Sequence, residues 1–436
     1  MIMPEKIRSR MENAWCMYDW ANSAFTTTII AAVFPYYYVS VAGKSLDPNV
    51  ATAYWGYTNT FAMLLTAVTA PVLGAIADRS GSRKKFLAAL AGIGMMFSGL
   101  LALVGPGDWI LASALFICGL IGWSGANVFY DSLLPHVAAQ GRIDTVSSRG
   151  FALGYLGGGL LLALNLVMIQ PGLLGLESFP GIPDAQWGAR VSFISVAVWW
   201  AVFSAPLLAR VPEPPVRTGD YDRLNPVRSG FRRVTRTIRE ARRHPDILLF
   251  LTAYWLYNDG IASVIVMAVA FGHEIGISQG HLIGAILAVQ FVGVPFAILF
   301  GRLSGWIGAK RSIMVGLGIY CLIVTGGYFM TSPLHFWILA LLVATAQGGT
   351  QALSRSLFAR MAPEKRAAEF FGFYDVSAKF ASIMGPFLFS TVAILTGSSR
   401  NGILALLALF VLGGGLLSAV NVERARATSD PGRNEI

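Results

Sequence analysis

The stretches 74-GAIADRSGSRKK-85 and 301-GRLSGWIGAKR-311 decide the fold class, because they are two copies of one pattern. Gly74 corresponds to Gly301 and Gly81 to Gly308, and a pair of basic residues follows the second glycine in each copy. Each copy begins at the end of a long apolar segment. Weak internal repetition of this kind is typical of membrane proteins built from two similar halves.

Composition supports a membrane protein. Hydrophobic residues make up 55% of the chain, and charged residues only 13%, whereas charged residues are about 25% of an ordinary soluble domain. The mean hydropathy is +0.60. Apolar segments near the roughly 20 residues of a spanning helix lie at 14–41, 51–77, 86–104, 109–134, 147–169, 190–209, 247–272, 281–305, 312–330, 335–359, 369–396 and 401–421. The sequence therefore predicts an all-α integral membrane protein with twelve transmembrane helices in two parallel six-helix repeats.

The repeat also divides the chain. "YDSLLPHVA" in the fourth segment matches "SRSLFARMA" in the tenth, and "YDWANSAF" in the first aligns with "YWLYNDGIA" in the seventh. We predict an N-terminal bundle at 1–209, a basic cytoplasmic linker at 210–246 and a C-terminal bundle at 247–436. The linker is expected to contact lipid headgroups and not nucleic acid.

Basic residues set the predicted orientation, since cytoplasmic loops retain Lys and Arg. With the amino terminus inside, the outer loops hold only Lys44, Arg190 and Arg400. Both termini are therefore expected in the cytoplasm, in a bacterial inner membrane. The residues before the first segment contain no cleavable signal pattern, so we expect that segment to be retained.

Metal, cofactor and enzyme chemistry find no support in the sequence. The five His residues have no ligand spacing, and the three Cys residues all lie in apolar segments. "GYLGGG" at 154–159 has no P-loop lysine and lies within a membrane segment, where small residues favour close helix packing. We expect a monomer with no cofactor, in contact with lipid and with a small solute.

The first copy of the repeat, with Gly74, Asp78, Arg79, Gly81 and Arg83, resembles the loop signature of the major facilitator superfamily. In such a loop the glycines permit close approach and a tight turn. An aspartate at the helix end can make a contact in one conformation and break it in another. The second copy departs from the signature because Gly305 stands where an aspartate is common, so the Asp78 contact has no evident counterpart there.

Four further stretches extend the resemblance to nearly the whole chain. "MYDWANSAF", "YNDGIASVI", "GGTQALSRSLFARM" and "AEFFGFYDVSAKFASIMGP" are similar to the unknown major facilitator subgroup, which includes fungal vacuolar amino-acid effluxers linked to autophagy. The resemblance implies a secondary transporter with alternating access. It also implies a cavity lined by the first, fourth, seventh and tenth segments and makes amino acids the leading substrate class.

Polar residues within the apolar segments share helix faces. Asp19 and Asn22 are three residues apart, Asn127 and Asp131 four apart, and Gln347 and Gln351 four apart. Such faces fit a water-filled cavity, because lipid does not tolerate them. A single amide can instead join two helices by hydrogen bonds. The candidates for binding substrate or a proton are Asp19, Asn22, Asn127, Asn258, Asp259, Gln347, Gln351 and Lys379.

Depth along the helices separates gate residues from binding residues. Asp131, Arg149 and Arg355 lie near the cytoplasmic ends of their segments, where we expect gate ion pairs, with snorkelling to the headgroups as the alternative for Arg355. Asp259 and Lys379 lie roughly 15 to 18 Å deep at 1.5 Å per residue, near the midplane where transporters bind substrate. Asp375, one turn from Lys379, is an alternative partner for that lysine.

Asp259 has three candidate roles. It could bind a substrate ammonium, titrate as the coupling proton site, or form a fixed pair with Lys379. The succession Asn258, Asp259, Gly260 is poor in helix formers, so the sequence also predicts a local opening of the seventh helix.

Together these features predict proton-coupled secondary active transport of a small polar solute, with an amino acid or related metabolite as the leading candidate. A nutrient sensor without transport, or a channel-like facilitator on the same scaffold, is the alternative. Counterflow exchange separates them, because only a carrier exchanges labelled for unlabelled solute.

Overall fold

The computed structural model describes residues 5–79, 82–138, 143–175, 181, 184–213, 244–361, 374 and 382–429. Within these ranges the chain is helical and contains no β-strand. The α-helices are α1 Glu5–Ala24, α2 Val33–Tyr37, α3 Pro48–Arg79, α4 Arg83–Leu100, α5 Trp109–Val137, α6 Ile143–Ile169, α7 Ala185–Arg210, α8 Pro245–Glu274, α9 Gln279–Ile307, α10 Ala309–Tyr328, α11 Pro333–Met361, α12 Met384–Thr396, α13 Ser399–Ala405, α14 Leu407–Ala419 and α15 Val422–Ser429.

Ten stretches of these helices are long and apolar enough to cross a membrane. They correspond to ten of the twelve predicted segments. The second predicted segment forms α3, a helix of 32 residues. The eleventh is described only in part, as the shorter apolar helix α12. The all-helical architecture agrees with the twelve-helix prediction.

The first segment is not a regular α-helix throughout. After α1 the backbone forms a π-helix at Phe25–Ala32, then α2, and then a second π-helix at Tyr38–Ala42. π-Helical turns are uncommon and often occur at functional sites. Here the first of them begins three residues after Asn22.

The predicted opening of the seventh segment is wrong, because α8 continues through Asn258, Asp259 and Gly260 without a break. Close packing explains the glycine. A Cβ atom at Gly260 would lie 2.7 Å from the Phe410 ring of α14. Gly260 therefore allows α14 to approach α8, and the tertiary contact overrides the weak helix propensity of the sequence.

The described chain separates into two compact units. The first comprises Met1–Ala51, Val68–Gly230 and Ser278–Leu287. In this unit α1 packs on α6 and α7, and α4 packs on α5. Gly122 permits the last contact, because a Cβ there would lie 2.8 Å from the Leu90 carbonyl.

The second unit comprises Thr52–Ala67, Phe231–Ile277 and Ala288–Ile436. In it α8 packs on α14, α10 packs on α11, and Trp55 donates a 2.9 Å hydrogen bond from its indole to the Val266 carbonyl. The division of the sequence at the basic linker stays a prediction, and residues 214–243 of that linker lie outside the described residues.

Candidate functional site

Helices α1 and α5 are joined by a reciprocal aromatic contact in the first unit. Trp15 stacks on Tyr130 with ring centroids 4.3 Å apart, and Tyr18 lies 4.7 Å from the same ring. The Trp15 indole donates to the Tyr130 carbonyl, and the Tyr130 hydroxyl donates to the Trp15 carbonyl, both at 3.2 Å. These two hydrogen bonds fix the position of α1 relative to α5. The two helices carry Asp19, Asn22, Asn127 and Asp131.

Asn22 and Asn127 bind each other. The Asn22 amide donates from Nδ2 to Asn127 Oδ1 at 2.7 Å. Asn22 is buried and Asn127 half-buried. The structure thus brings together two residues that the helical spacing placed on separate polar faces, and it uses their amides to connect α1 with α5.

Asp19 lies on the face of α1 that packs against α6. A Cβ atom at Gly150 would be 3.0 Å from Asp19 Oδ2, so the glycine leaves room for the carboxylate. Asp131 is close enough for the two carboxylates to repel each other. Among the described residues, none donates a hydrogen bond to Asp19 or forms an ion pair with it. A half-buried carboxylate of this kind can bind a cation or a proton.

In the second unit, hydroxyl groups and not amides connect the corresponding helices. The hydroxyl groups of Tyr257 and Ser354 lie 2.6 Å apart and join α8 to α11. Next to them, Asn258 is buried and Gln351 half-buried. Gln347 is half-buried one turn before Gln351. None of these three amides is hydrogen-bonded within the described part of the chain, in contrast to Asn22 and Asn127.

Asp259 is bonded to backbone. Its Oδ2 accepts a hydrogen bond of 2.9 Å from the N–H of Gly385, at the start of α12. Its Oδ1 is buried and has no hydrogen-bond donor among the described residues. The Ser263 hydroxyl, one turn further along α8, donates to the Asp259 carbonyl. Asp259 is thus placed against the beginning of another helix.

A family model described as "Vacuole effluxer Atg22 like" matches residues 8–143 and 138–430 of this chain. The chain belongs to this Atg22-like family. The uncharacterized MFS-type transporter YxiO of Bacillus subtilis (strain 168) is 38% identical over 97% of both chains. Autophagy-related protein 22 of Yarrowia lipolytica is 24% identical, over 86% of this chain and 76% of its own length.

Solved structures show the same fold. A D-xylose-proton symporter superposes with a TM-score of 0.68 and 16% identity, over 94% of this chain and 97% of its own. A bacterial homologue of the lysosomal transporter Spinster does so with a TM-score of 0.64 and 16% identity, over 98% and 96%. This Atg22-like protein is therefore a multi-pass membrane transporter of the major facilitator superfamily, and its family and fold are not those of enzymes.

The predicted gate residues of the Atg22-like chain are described in part. The Arg83 guanidinium donates to the Ser132 carbonyl at 3.0 Å and lies 2.9 Å from His136 Nε2, so it ties the start of α4 to the end of α5. Asp131, Arg149 and Arg355 are exposed. Neither arginine forms an ion pair with a described residue, and their place at a gate stays a prediction.

Several predicted residues fall outside what the structure describes. Gly81, Asp375 and Lys379 are not among the described residues. Gly74, Asp78 and Arg79 lie in α3, and at these three positions the structure describes only the backbone. The pairing of Lys379 with Asp259 or with Asp375 therefore stays a prediction.

Two residues of the Atg22-like site were missed by sequence reasoning. Gly385 meets Asp259 across 126 positions, and helical spacing reports only neighbours along one helix. Tyr130 meets Trp15 across 115 positions. The dipeptide Gly385-Pro386, which often marks a local change of backbone structure, was the available signal for the first contact.

Proposed function

We propose that this Atg22-like transporter moves a small polar solute by alternating access, with amino acids as the leading substrate class. The movement of the solute is coupled to protons, by symport or by antiport. The transporter acts as a monomer in a bacterial inner membrane with both termini in the cytoplasm. The Asp78 contact serves as a gate in this scheme. The description of the family model as a vacuole effluxer supports the movement of a solute across a membrane.

The observation that carries the solute proposal is the set of amides in the second unit. Buried polar groups are normally hydrogen-bonded, and the amides of Asn22 and Asn127 follow this rule. Asn258, Gln347 and Gln351 have no such bond within the described residues. Each can offer both a donor and an acceptor to a solute, which suits a polar ligand better than an apolar one.

In the first unit, Asp19 is the candidate for binding a cationic group such as the ammonium of an amino acid. A carboxylate with no cation beside it among the described residues is available for an ammonium group, and charge-assisted hydrogen bonds are the stronger ones. The repulsion from Asp131 adds to the attraction for a cation. Asp259, in contrast, already accepts a backbone N–H, so we propose Asp19 as the cation-binding carboxylate of the first unit and Asp259 as the proton-binding carboxylate of the second.

A thermal-shift screen on the purified protein tests the substrate class. We expect amino acids to raise the melting temperature and sugars to leave it unchanged, because a ligand that binds only the folded state stabilises it. The shift should disappear in Asp19→Asn and persist in Asp108→Asn, whose carboxylate lies in the turn before α5. If neutral sugars raise the melting temperature and no amino acid does, amino acids are excluded as the substrate class.

A further inference from the structure

The start of α12 raises a hydrogen-bonding problem. The helix begins at Met384, inside the apolar segment 369–396. Backbone N–H groups in the first turn of a helix have no partner within it, and within a membrane little water is available to replace one. Pro386 has no N–H, but Met384 and Gly385 each have one that requires an acceptor.

Asp259 of α8 is the acceptor for the Gly385 N–H. Its Oδ2 accepts this hydrogen bond at 2.9 Å. The residue before the helix is held as well, because the Thr60 hydroxyl lies 3.3 Å from the Ile383 carbonyl and donates to it. The amino-terminal turn of α12 is therefore fixed by side chains of α3 and α8.

Glycine at position 385 makes this approach possible. A Cβ atom there would lie 2.9 Å from Asp259 Oδ1 and would overlap the Ser263 hydroxyl. Any larger residue would push α12 away from α8. The carboxylate and the helix are thus in direct backbone contact, with no side chain between them.

A second acid on α8 provides a comparison. Asp246 accepts a 3.0 Å hydrogen bond from the Asn421 N–H, before α15, and its other oxygen pairs with Arg424 at 2.9 Å. Among the described residues, Asp259 has the backbone bond and no cation beside it. Its carboxylate accepts the Gly385 N–H, and no charged side chain of the described residues contributes to its environment.

Burial makes the lack of a described cation more costly for Asp259 than it would be for an exposed acid. The residue is 1% exposed, and its Oδ1 has no donor among the described residues. Burying a charge is costly, and among the described residues the positive end of α12 is the group that offsets this cost. Binding a proton at Oδ1 would remove the cost and, with it, the attraction that holds α12.

We propose that Asp259 is a positioning residue that links proton binding to the placement of α12. As a carboxylate it holds the Met384–Gly385 turn against α8. As a neutral acid it keeps only a weaker, uncharged acceptor for the Gly385 N–H, so the turn loosens. One proton binds and leaves reversibly, and no other bond changes. This inference rests on the proton coupling of the proposed function and specifies how the proton acts on the fold.

Hydrogen–deuterium exchange on the full chain in lipid nanodiscs tests the link without any solute. Overlapping peptides that report the Met384 and Gly385 amides are followed between neutral and acidic pH, relative to the intrinsic exchange rate at each pH. We expect their protection to fall about tenfold on acidification, as a charge-assisted bond is lost. In Asp259→Asn the protection should be low at every pH, since Asn keeps an acceptor but carries no charge.

Asp246→Asn is the matched control, an acid-to-amide change on the same helix at another helix start. It should keep the pH response at Met384 and Gly385. An equal pH response in wild type and Asp259→Asn would overturn the proposal, and so would protection in wild type that does not change with pH. Because this readout needs no transport, a pH response at α12 together with absent proton-driven uptake would contradict the proposed function and leave the helix link standing.

Discussion

At the scale of single residues, the two units use their amides in different ways. The side-chain amides of Asn22 and Asn127 are hydrogen-bonded to each other. Gln351, which corresponds to Asn127 in the sequence repeat, has no side-chain hydrogen bond within the described residues. Helical spacing identified all of these residues as polar positions on helix faces. It could not separate the structural amides from the available ones, because a hydrogen bond between helices depends on how they pack.

Gln351→Leu should weaken solute binding about tenfold, the cost of one lost hydrogen bond with its desolvation, and leave the melting temperature close to that of wild type. The matched control is Asn165→Leu, since the Asn165 amide is bonded at both ends, to Thr28 and Ser195. That control should lower the melting temperature and keep the affinity. Isothermal titration and thermal unfolding measure both quantities, and a Gln351→Leu protein with full affinity would exclude this amide from the site.

The Asn22–Asn127 bond should show energetic coupling. In a double-mutant cycle with alanine at each position, the loss in the free energy of unfolding should be smaller in the double variant than the two single losses together. The expected coupling is about 1 kcal/mol or less, as for hydrogen bonds between membrane helices. Strictly additive losses would mean that the two amides do not support each other.

At the scale of helices, most of the architecture follows from the sequence, and the exceptions have packing causes. Apolar length predicted ten of the spanning segments, because the membrane thickness sets the length of a spanning helix. The break predicted in the seventh segment was wrong, since Gly260 serves the contact with Phe410. The start of α12 at Met384 was also missed, because the group that accepts its N–H groups is on α8.

Gly385→Ala should destabilise the protein by about 1 to 3 kcal/mol, the range for overpacking a tight contact. The new methyl group would overlap the Ser263 hydroxyl. Gly318→Ala is the control, because a Cβ at Gly318 of α10 meets no atom within 4 Å; it should be neutral or slightly stabilising, as alanine favours helix. Equal unfolding free energies for the two variants would show that α12 does not contact α8 as described.

At the scale of the whole molecule, orientation follows from the distribution of basic residues. In a background with Cys16, Cys118 and Cys321 replaced by alanine, a cysteine in place of Lys44 should react with a membrane-impermeant maleimide added to intact spheroplasts. A cysteine in place of Ser429, after the last spanning helix, should react only after the membrane is opened. The reverse pattern would place both termini outside, against the positive-inside rule.

Counterflow exchange distinguishes a carrier from a sensor and a channel, and we expect this Atg22-like protein to behave as a carrier. Proteoliposomes are loaded with an unlabelled amino acid chosen by the thermal-shift screen, and the labelled form is added outside at a low concentration. We expect the label to accumulate transiently above its equilibrium level, because each inward passage of label is exchanged for an outward passage of unlabelled solute. Binding without any flux, or entry of label that internal solute does not accelerate, would contradict the account and indicate a sensor or a channel.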